Sequence, residues 1–301
     1  MAENSAISWT DHTMNFWIGC TKVSPACTNC YAAVDTFARR ERANGRELWG
    51  PNADRHRTSE ALWKKPYQWN KKYQWLECPK CHWRGHIEDA GYFNNEFTCL
   101  SCQVPLRTTR QRVFVSSLSD ICEIHPQITD DMRRAIAEIV MDCENLDFLF
   151  LTKRPENFNL LWLQLFGGKL PDNLWVGTTV ENQKYADERI PALLGIPAKF
   201  RFLSCEPLLG HVDVLEYLGD YHSSLHGGFD DGINWVIAGG ESGSKARPMD
   251  PQHVRSLREQ CKDAGIAFHF KQWGEYLYGV KVGKKNAGRL LDGVEHNEFP
   301  K

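Results

Sequence analysis

The chain has 301 residues, 42% hydrophobic and 25% charged, with a formal net charge of −2. That is the composition of a globular protein long enough for one large or two ordinary cores, and it excludes collagenous, low-complexity and disordered classes. No run approaches the roughly 20 apolar residues of a membrane span, and the short polar start, residues 1–8, does not read as a signal peptide, so the eleven cysteines point to reducing cytoplasm rather than to disulfides.

Residues 14–18 form an apolar run that predicts a strand, ended by Gly19. Cys20, Cys27 and Cys30 follow, with six and then two residues between them. An Ala- and Arg-rich, helix-like stretch then runs to about Asn44, before a Gly45 suited to a helix C-terminus. Thiolates are soft ligands that favour iron–sulfur clusters or zinc over magnesium or calcium. Three of them holding a 4Fe-4S cluster leave one iron open to a non-protein ligand. Zinc wants a fourth ligand, for which His12 is the nearest candidate. Thiols packed after a strand are the plainer alternative. Residues 1–45 make the first βα unit.

Residues 46–112 read as a basic, Trp-rich insertion. Up to residue 112 the chain carries 16 Lys and Arg against 11 Asp and Glu, and seven of its eleven Trp; the remainder carries 20 against 27. Basic residues interleaved with aromatics suit a nucleic-acid surface; solvated helix faces with core Trp are the bland reading. Thr58 or Ser59 can cap a short helix through Trp63, which Pro66 should break. Cys78 and Cys81 are separated by 17 residues from Cys99 and Cys102. Two Cys-x-x-Cys knuckles at that spacing predict a zinc ribbon over 78–102, with a second iron–sulfur cluster as its rival. The metal supplies folding energy that so small a piece lacks.

From residue 113 to 275 short apolar runs recur 26 to 35 residues apart, each followed by polar residues and a helical segment. They start at Val113, Phe148, Leu174, Phe200, Trp235 and Ala267. Unbroken Val, Leu and Phe runs suit buried parallel strands. Thr129 is placed to cap a helix over 130–143, and Pro251 to open another stopped by Gly265. Cys143 and Cys261 fall on the inner stripes of these helices and read as small core residues. With the strand before Cys20 this makes seven βα repeats, where a full barrel has eight. The expected fold is α/β: a partial or distorted (β/α) barrel of about six to seven parallel strands with an inserted zinc ribbon, an open doubly wound sheet being the rival. A C-terminal extension occupies 276–301.

In either fold the ligand site lies beyond the C-terminal strand ends. Cys20, Cys27 and Cys30 emerge there, as do Ser116, Lys153 and Arg154, Glu181, Cys205 and Glu206, and Gly239, Gly240 and Glu241. Lys153 and Arg154 can bind a carboxylate or phosphate, or form a surface pair. The Gly-Gly-Glu offers close backbone approach and a carboxylate, or is a glycine turn. Glu181 and Glu206 suit amino-group binding, proton transfer or loop capping. Cys205 can give a hydrogen atom to a substrate radical, or simply pack. No Walker loop or serine-nucleophile elbow is present.

Trp9-Thr10, Asn15, Gly19-Cys20, Ser24, Cys27 and Cys30-Tyr31-Ala32 resemble the phage-associated three-Cys-motif family, whose activity is unassigned. Gly283-Lys284-Lys285, Gly288-Arg289, Leu291-Asp292-Gly293 and Phe299-Pro300 are similar to that family's ending. The resemblance implies a phage- or prophage-encoded protein in the host cytoplasm. The Cys-x-x-Cys-Tyr ending also resembles the radical SAM superfamily, which usually has three residues, not six, between its first two cysteines. That likeness implies a 4Fe-4S cluster whose open iron binds S-adenosylmethionine, with Tyr31 near the adenine and the Gly-Gly-Glu, here after the sixth strand rather than the second, near the methionyl amino group. The expected function is a radical SAM-like iron–sulfur enzyme modifying a substrate, such as nucleic acid or a nucleobase, recognised through the zinc-ribbon region. The alternative is a non-enzymatic, zinc-dependent nucleic-acid-binding protein, with His12 completing a zinc site.

Overall fold

The structure is a computed structural model, and residues 5–219 and 232–300 are described. Seven parallel strands pair in sequential order: β1 (His12–Met14), β2 (Gln111–Val115), β3 (Leu146–Thr152), β4 (Leu174–Thr179), β5 (Phe200–Cys205), β6 (Trp235–Gly239) and β7 (Ala267–Gln272). β1 and β7 do not pair, so the sheet curls into a half-barrel rather than closing. The helices between strands include α1 (Thr36–Ala43), α2 (Asp130–Asp142), α3 (Phe158–Trp162), α4 (Gln183–Leu194) and α5 (Pro251–Asp263). Thr129 caps α2 by accepting from the Met132 N–H, and Asp250 caps α5. No helix among the described residues is long and apolar enough to cross a membrane.

Strand alternation sorts side chains onto two faces. Val113, Val115, Phe148, Phe150, Val176, Leu203, Val236, Phe268 and Phe270 join the main core, which the helices share. The residues between them face the concave side. There Phe114, Leu149, Trp175, Phe202, Trp235 and Ile237 form a second cluster with Trp9, and Phe299 packs against it. Ring centroids lie 4.6 Å apart for Trp9 and Phe114, 5.7 Å for Phe202 and Trp235, and 5.1 Å for Trp235 and Phe299. Gly177 is required here, because a Cβ would collide with the Phe202 ring. The two chain ends complete this plug. Ser8 Oγ lies 2.8 Å from Nε2 of His269 on β7, so the segment before β1 reaches across the open side. The tail lies along the free edge of β7, where Phe270 N–H donates to the His296 carbonyl at 3.0 Å and Glu298 N–H to Phe268 at 3.3 Å. An uncovered edge would invite pairing with another chain.

The ribbon is a three-stranded sheet of Trp75–Glu77, Arg84–His86 and Arg107–Thr109, with a hairpin of Gly91–Phe93 and Glu96–Thr98. Its last strand leads straight into β2, so it hangs from the N-terminal end of the sheet, the end opposite Cys20. Arg84 pairs with Glu77 at 2.6 Å and Asp11 at 3.0 Å, and Arg112 with Glu77 at 3.2 Å. The Arg112 guanidinium also lies 3.5 Å from the Phe299 ring centroid.

Two local expectations differ. The first parallel strand is 12–14; Trp17–Ile18 instead pairs antiparallel with His56–Arg57. The fully buried Asn15 separates the two, bonding Ser117 Oγ and accepting from Leu118 N–H. The stretch after Cys30 opens with a 3-10 turn, Ala32–Val34, and becomes α-helical only after the Asp35 cap. The short helix expected through Trp63 is present as Glu60–Trp63, preceded by Ser59, and Pro66 then sits in the first turn of a second helix, Lys65–Asn70. The Trp-rich surface also dissolves: Trp9, Trp17, Trp63 and Trp69 are buried, and Trp49, Trp75 and Trp83 half-buried.

Trp235→Ala removes the ring at the centre of the concave plug. Its cost is expected at about 3–5 kcal/mol, read as a lower denaturant midpoint. A midpoint within about 0.5 kcal/mol of wild type, the scale of a surface substitution, would show that the concave cluster contributes nothing.

Candidate functional site

The sulfurs of Cys78, Cys81, Cys99 and Cys102 lie within 4.8 Å of one another. The Cys81 and Cys99 sulfurs are 3.6 Å apart. Each knuckle turns on a residue in the left-handed region, His82 at φ 57° and Gln103 at φ 55°. The N–H groups of Lys80 and Cys81 point at Cys78 Sγ, both at 3.4 Å. Burial acts to raise the Cys99 thiol, but the Cys102 and Ser101 N–H groups and the Cys81 thiol pull it down to about 7. Four converging thiols backed by N–H donors suit a tetrahedral metal such as zinc.

Cys20, Cys27 and Cys30 sit on the loop beyond β1, each partly exposed. They do not converge as the ribbon thiols do. Tetrahedral zinc with bonds of about 2.3 Å holds its thiolates about 4 Å apart, whereas a cluster takes each thiolate on a separate iron. His12 does not join them. Its ring stacks on Trp69, with centroids 4.2 Å apart and planes 8° from parallel, which corrects the idea that it completes a zinc site.

Four ion pairs, three of them buried, hold this loop. Arg154 Nη1 lies 3.7 Å from Cys20 Sγ and 2.7 Å from Asp120, and Nη2 donates to the Thr21 carbonyl at 2.7 Å. Glu123 accepts from Thr21 N–H at 2.8 Å and takes both arms of Arg55 at 2.8 Å. Further along, the fully buried Glu181 pairs with Arg189 at 2.9 Å and accepts from Ala26 N–H at 3.4 Å. Glu241 takes Arg247 Nε at 2.9 Å and Asn29 Nδ2 at 3.1 Å, while Arg247 also donates to the Pro25 carbonyl at 3.0 Å. Burial, Asp120 and Glu123 push the Cys20 thiol up to about 12, with Arg154 opposing them. Metal binding there would therefore release a proton.

The other strand-end residues divide. Ser116 has φ 69° and a buried hydroxyl without a partner among the described residues. Lys153 is half-buried, its N–H donates to Asp120, and its ammonium has no ion pair among the described residues. Glu206 pairs with Lys271 at 3.2 Å. Tyr31 donates to the Ser117 carbonyl at 2.6 Å. Cys205 is not brought to them. It is fully buried in the main core with Leu203, on the helix side of the sheet, and burial pushes its thiol above the usual range. The two glycines have packing reasons: a Cβ on Gly239 would strike the Glu206 carboxylate, and one on Gly240 the Trp273 carbonyl. Arg55, Asp120 and Glu123 carry no motif signal; only Glu123, a charge within Ile121-Cys122-Glu123-Ile124, stands out from its apolar neighbours.

Fold and sites together define an α/β half-barrel with a four-thiol ribbon at one end and a pinned three-thiol loop at the other. The chain belongs to the DUF5131 family, described as proteins of unknown function, whose match covers residues 4–300. No curated protein and no solved structure matches the chain.

Cys99→Ser is expected to remove the ribbon metal, read as the loss of about one zinc per chain in elemental analysis. Unchanged zinc would refute the four-thiol site. Glu123→Gln leaves Arg55 without its buried partner. It should cost about 3–5 kcal/mol in denaturant unfolding, and a negligible change would show that this pair does not hold the loop.

Proposed function

We propose that the chain is a radical SAM-like iron–sulfur enzyme, with Cys20, Cys27 and Cys30 holding a 4Fe-4S cluster and S-adenosylmethionine at its open iron. The observation that carries this reading is a partly exposed, three-thiol loop beyond the C-terminal end of a half-barrel strand, without the close convergence that mononuclear zinc requires. The donor set fits: three soft ligands and a guanidinium beside one sulfur. Such a cluster, when bound, supplies the electron for reductive cleavage of S-adenosylmethionine.

The chain's own residues orient and bind. Arg154 favours the Cys20 thiolate and holds its backbone. Glu181 and the Glu241–Arg247 pair clamp the segment between the cysteines, so both carboxylates act in this reading as positioning groups. Lys153 and the Ser116 hydroxyl are the free donors for a carboxylate or hydroxyl of the bound cofactor. Tyr31, Glu206 and Lys271 make the rest of the rim. Cys205 has no part, because its thiol faces the other side of the sheet. The substrate class is nucleic acid or a nucleobase, the group is that of the phage-associated three-Cys-motif proteins, and the place of action is the host cytoplasm.

The test is anaerobic reconstitution with iron, sulfide and zinc counted, then EPR of the reduced protein with and without S-adenosylmethionine. About four iron and one zinc per chain are expected, with a spectrum that shifts on adding S-adenosylmethionine. Cys27→Ala should lose the iron and keep the zinc. Two zinc and no iron would overturn the reading.

A further inference from the structure

We propose that the cavity beside the three-cysteine loop binds a single nucleobase of a single-stranded nucleic acid. The proposal rests on the enzyme reading only for the chemistry that follows binding. The cavity, of about 510 Å³, lies between the first turn of α1, the Trp17–Ile18 and His56–Arg57 ladder, and Leu62. It adjoins the cluster loop directly. Ile18 in its wall precedes Gly19 and Cys20, and Gly19 N–H donates to the carbonyl of Leu118, another wall residue, at 3.0 Å.

Its chemistry is that of a base pocket. Pockets of about 300–1,000 Å³ with mostly apolar walls and a few polar groups take small organic ligands. Ile18, Leu62 and Leu118 provide apolar walls, and Phe37 is half-exposed. His56 lies 5.1 Å from the Phe37 ring, and the Arg40 guanidinium 5.0 Å from its centroid. An aromatic ring flanked by a guanidinium stacks any base. Two groups can address a base edge. Asp35 uses Oδ1 to cap α1 through Ala38 N–H, leaving Oδ2 to accept from an exocyclic amino group. His56, which burial keeps below its usual pKa, is a neutral imidazole with one donor and one acceptor. Nearby Arg39 and Lys64 are exposed and have no acidic partner among the described residues, which suits phosphates on either side of the bound base. A base in a duplex cannot enter such a cavity without leaving its stack, so the single strand is the favoured form.

The test uses the full chain carrying its metals, without S-adenosylmethionine. Anisotropy of a fluorescein-labelled single-stranded oligonucleotide is measured at two salt concentrations, for wild type, Phe37→Ala, Phe37→Tyr and Arg39→Ala. Iron and zinc are counted for each, to exclude misfolding. Phe37→Ala should weaken binding about 5- to 150-fold at both salts, the loss of one stacked base, and Phe37→Tyr should retain it. Arg39→Ala should weaken binding and flatten the salt dependence, and a duplex of the same sequence should bind less tightly. Wild-type affinity in metal-loaded Phe37→Ala overturns the proposal, as does no oligonucleotide binding by wild type, including the case where an acidic or apolar peptide binds instead. Oligonucleotide binding by iron-free protein leaves the pocket standing and sinks the cluster. Iron with a shifted spectrum but no oligonucleotide binding does the reverse.

Discussion

A parallel sheet that does not close has two faces to bury, and this chain's architecture follows from how it buries the concave one. The convex face is covered by helices, as in any βα fold. Among the described residues no eighth strand closes over the concave face, and aromatic rings from β2, β4, β5 and β6 fill it, with Trp9 from before β1 and Phe299 from the tail. Segments near both ends of the chain are therefore part of the core. That accounts physically for informative sequence at the two ends: Trp9 and Phe299 meet in space around Trp235, 6.2 Å and 5.1 Å from its centroid.

The plug also sets the polarity of the molecule. It occupies the half-barrel towards the N-terminal strand ends, where Arg112 and Glu77 tie the ribbon on. The C-terminal ends remain polar, and the three-cysteine loop lies over them. A long loop with little regular structure would not hold three thiols in place by itself. Paired charges with almost no water around them do so: Glu123 with Arg55, Asp120 with Arg154, Glu181 with Arg189. Removing one partner from such a pair is far costlier than the pair's net contribution suggests, which makes the loop's position a property of the whole sheet.

Legibility followed the range of the interaction. Strands β2 to β7 were readable because each carries a short run rich in Val, Ile, Leu, Phe or Trp at a βα spacing, and α2 and α5 because their caps are local. The ribbon was readable because knuckle spacing determines geometry within a few residues. β1 was misplaced because apolar character alone does not reveal the turn that a buried Asn15 makes through Ser117 and Leu118, about a hundred residues away. Trp-rich character misled in the same way: the same residues suit a stacking surface or a core, and only burial separates them. An aromatic available in the cavity beside the loop is Phe37, which composition did not single out.

By itself the sequence determined the βα repeat, the missing eighth unit, the four-thiol ribbon and the place of three more thiols after the first strand. These depend on periodicity and on spacing along the chain. The tertiary structure alone decided that Cys205 faces the helices, that His12 stacks on Trp69, and that Glu181 and Glu241 grip the cysteine loop. It also set the ribbon at the opposite end of the sheet from that loop. Which face a strand residue takes, and which distant charge meets which, depends on register and curl, and neither is written in any local stretch of residues.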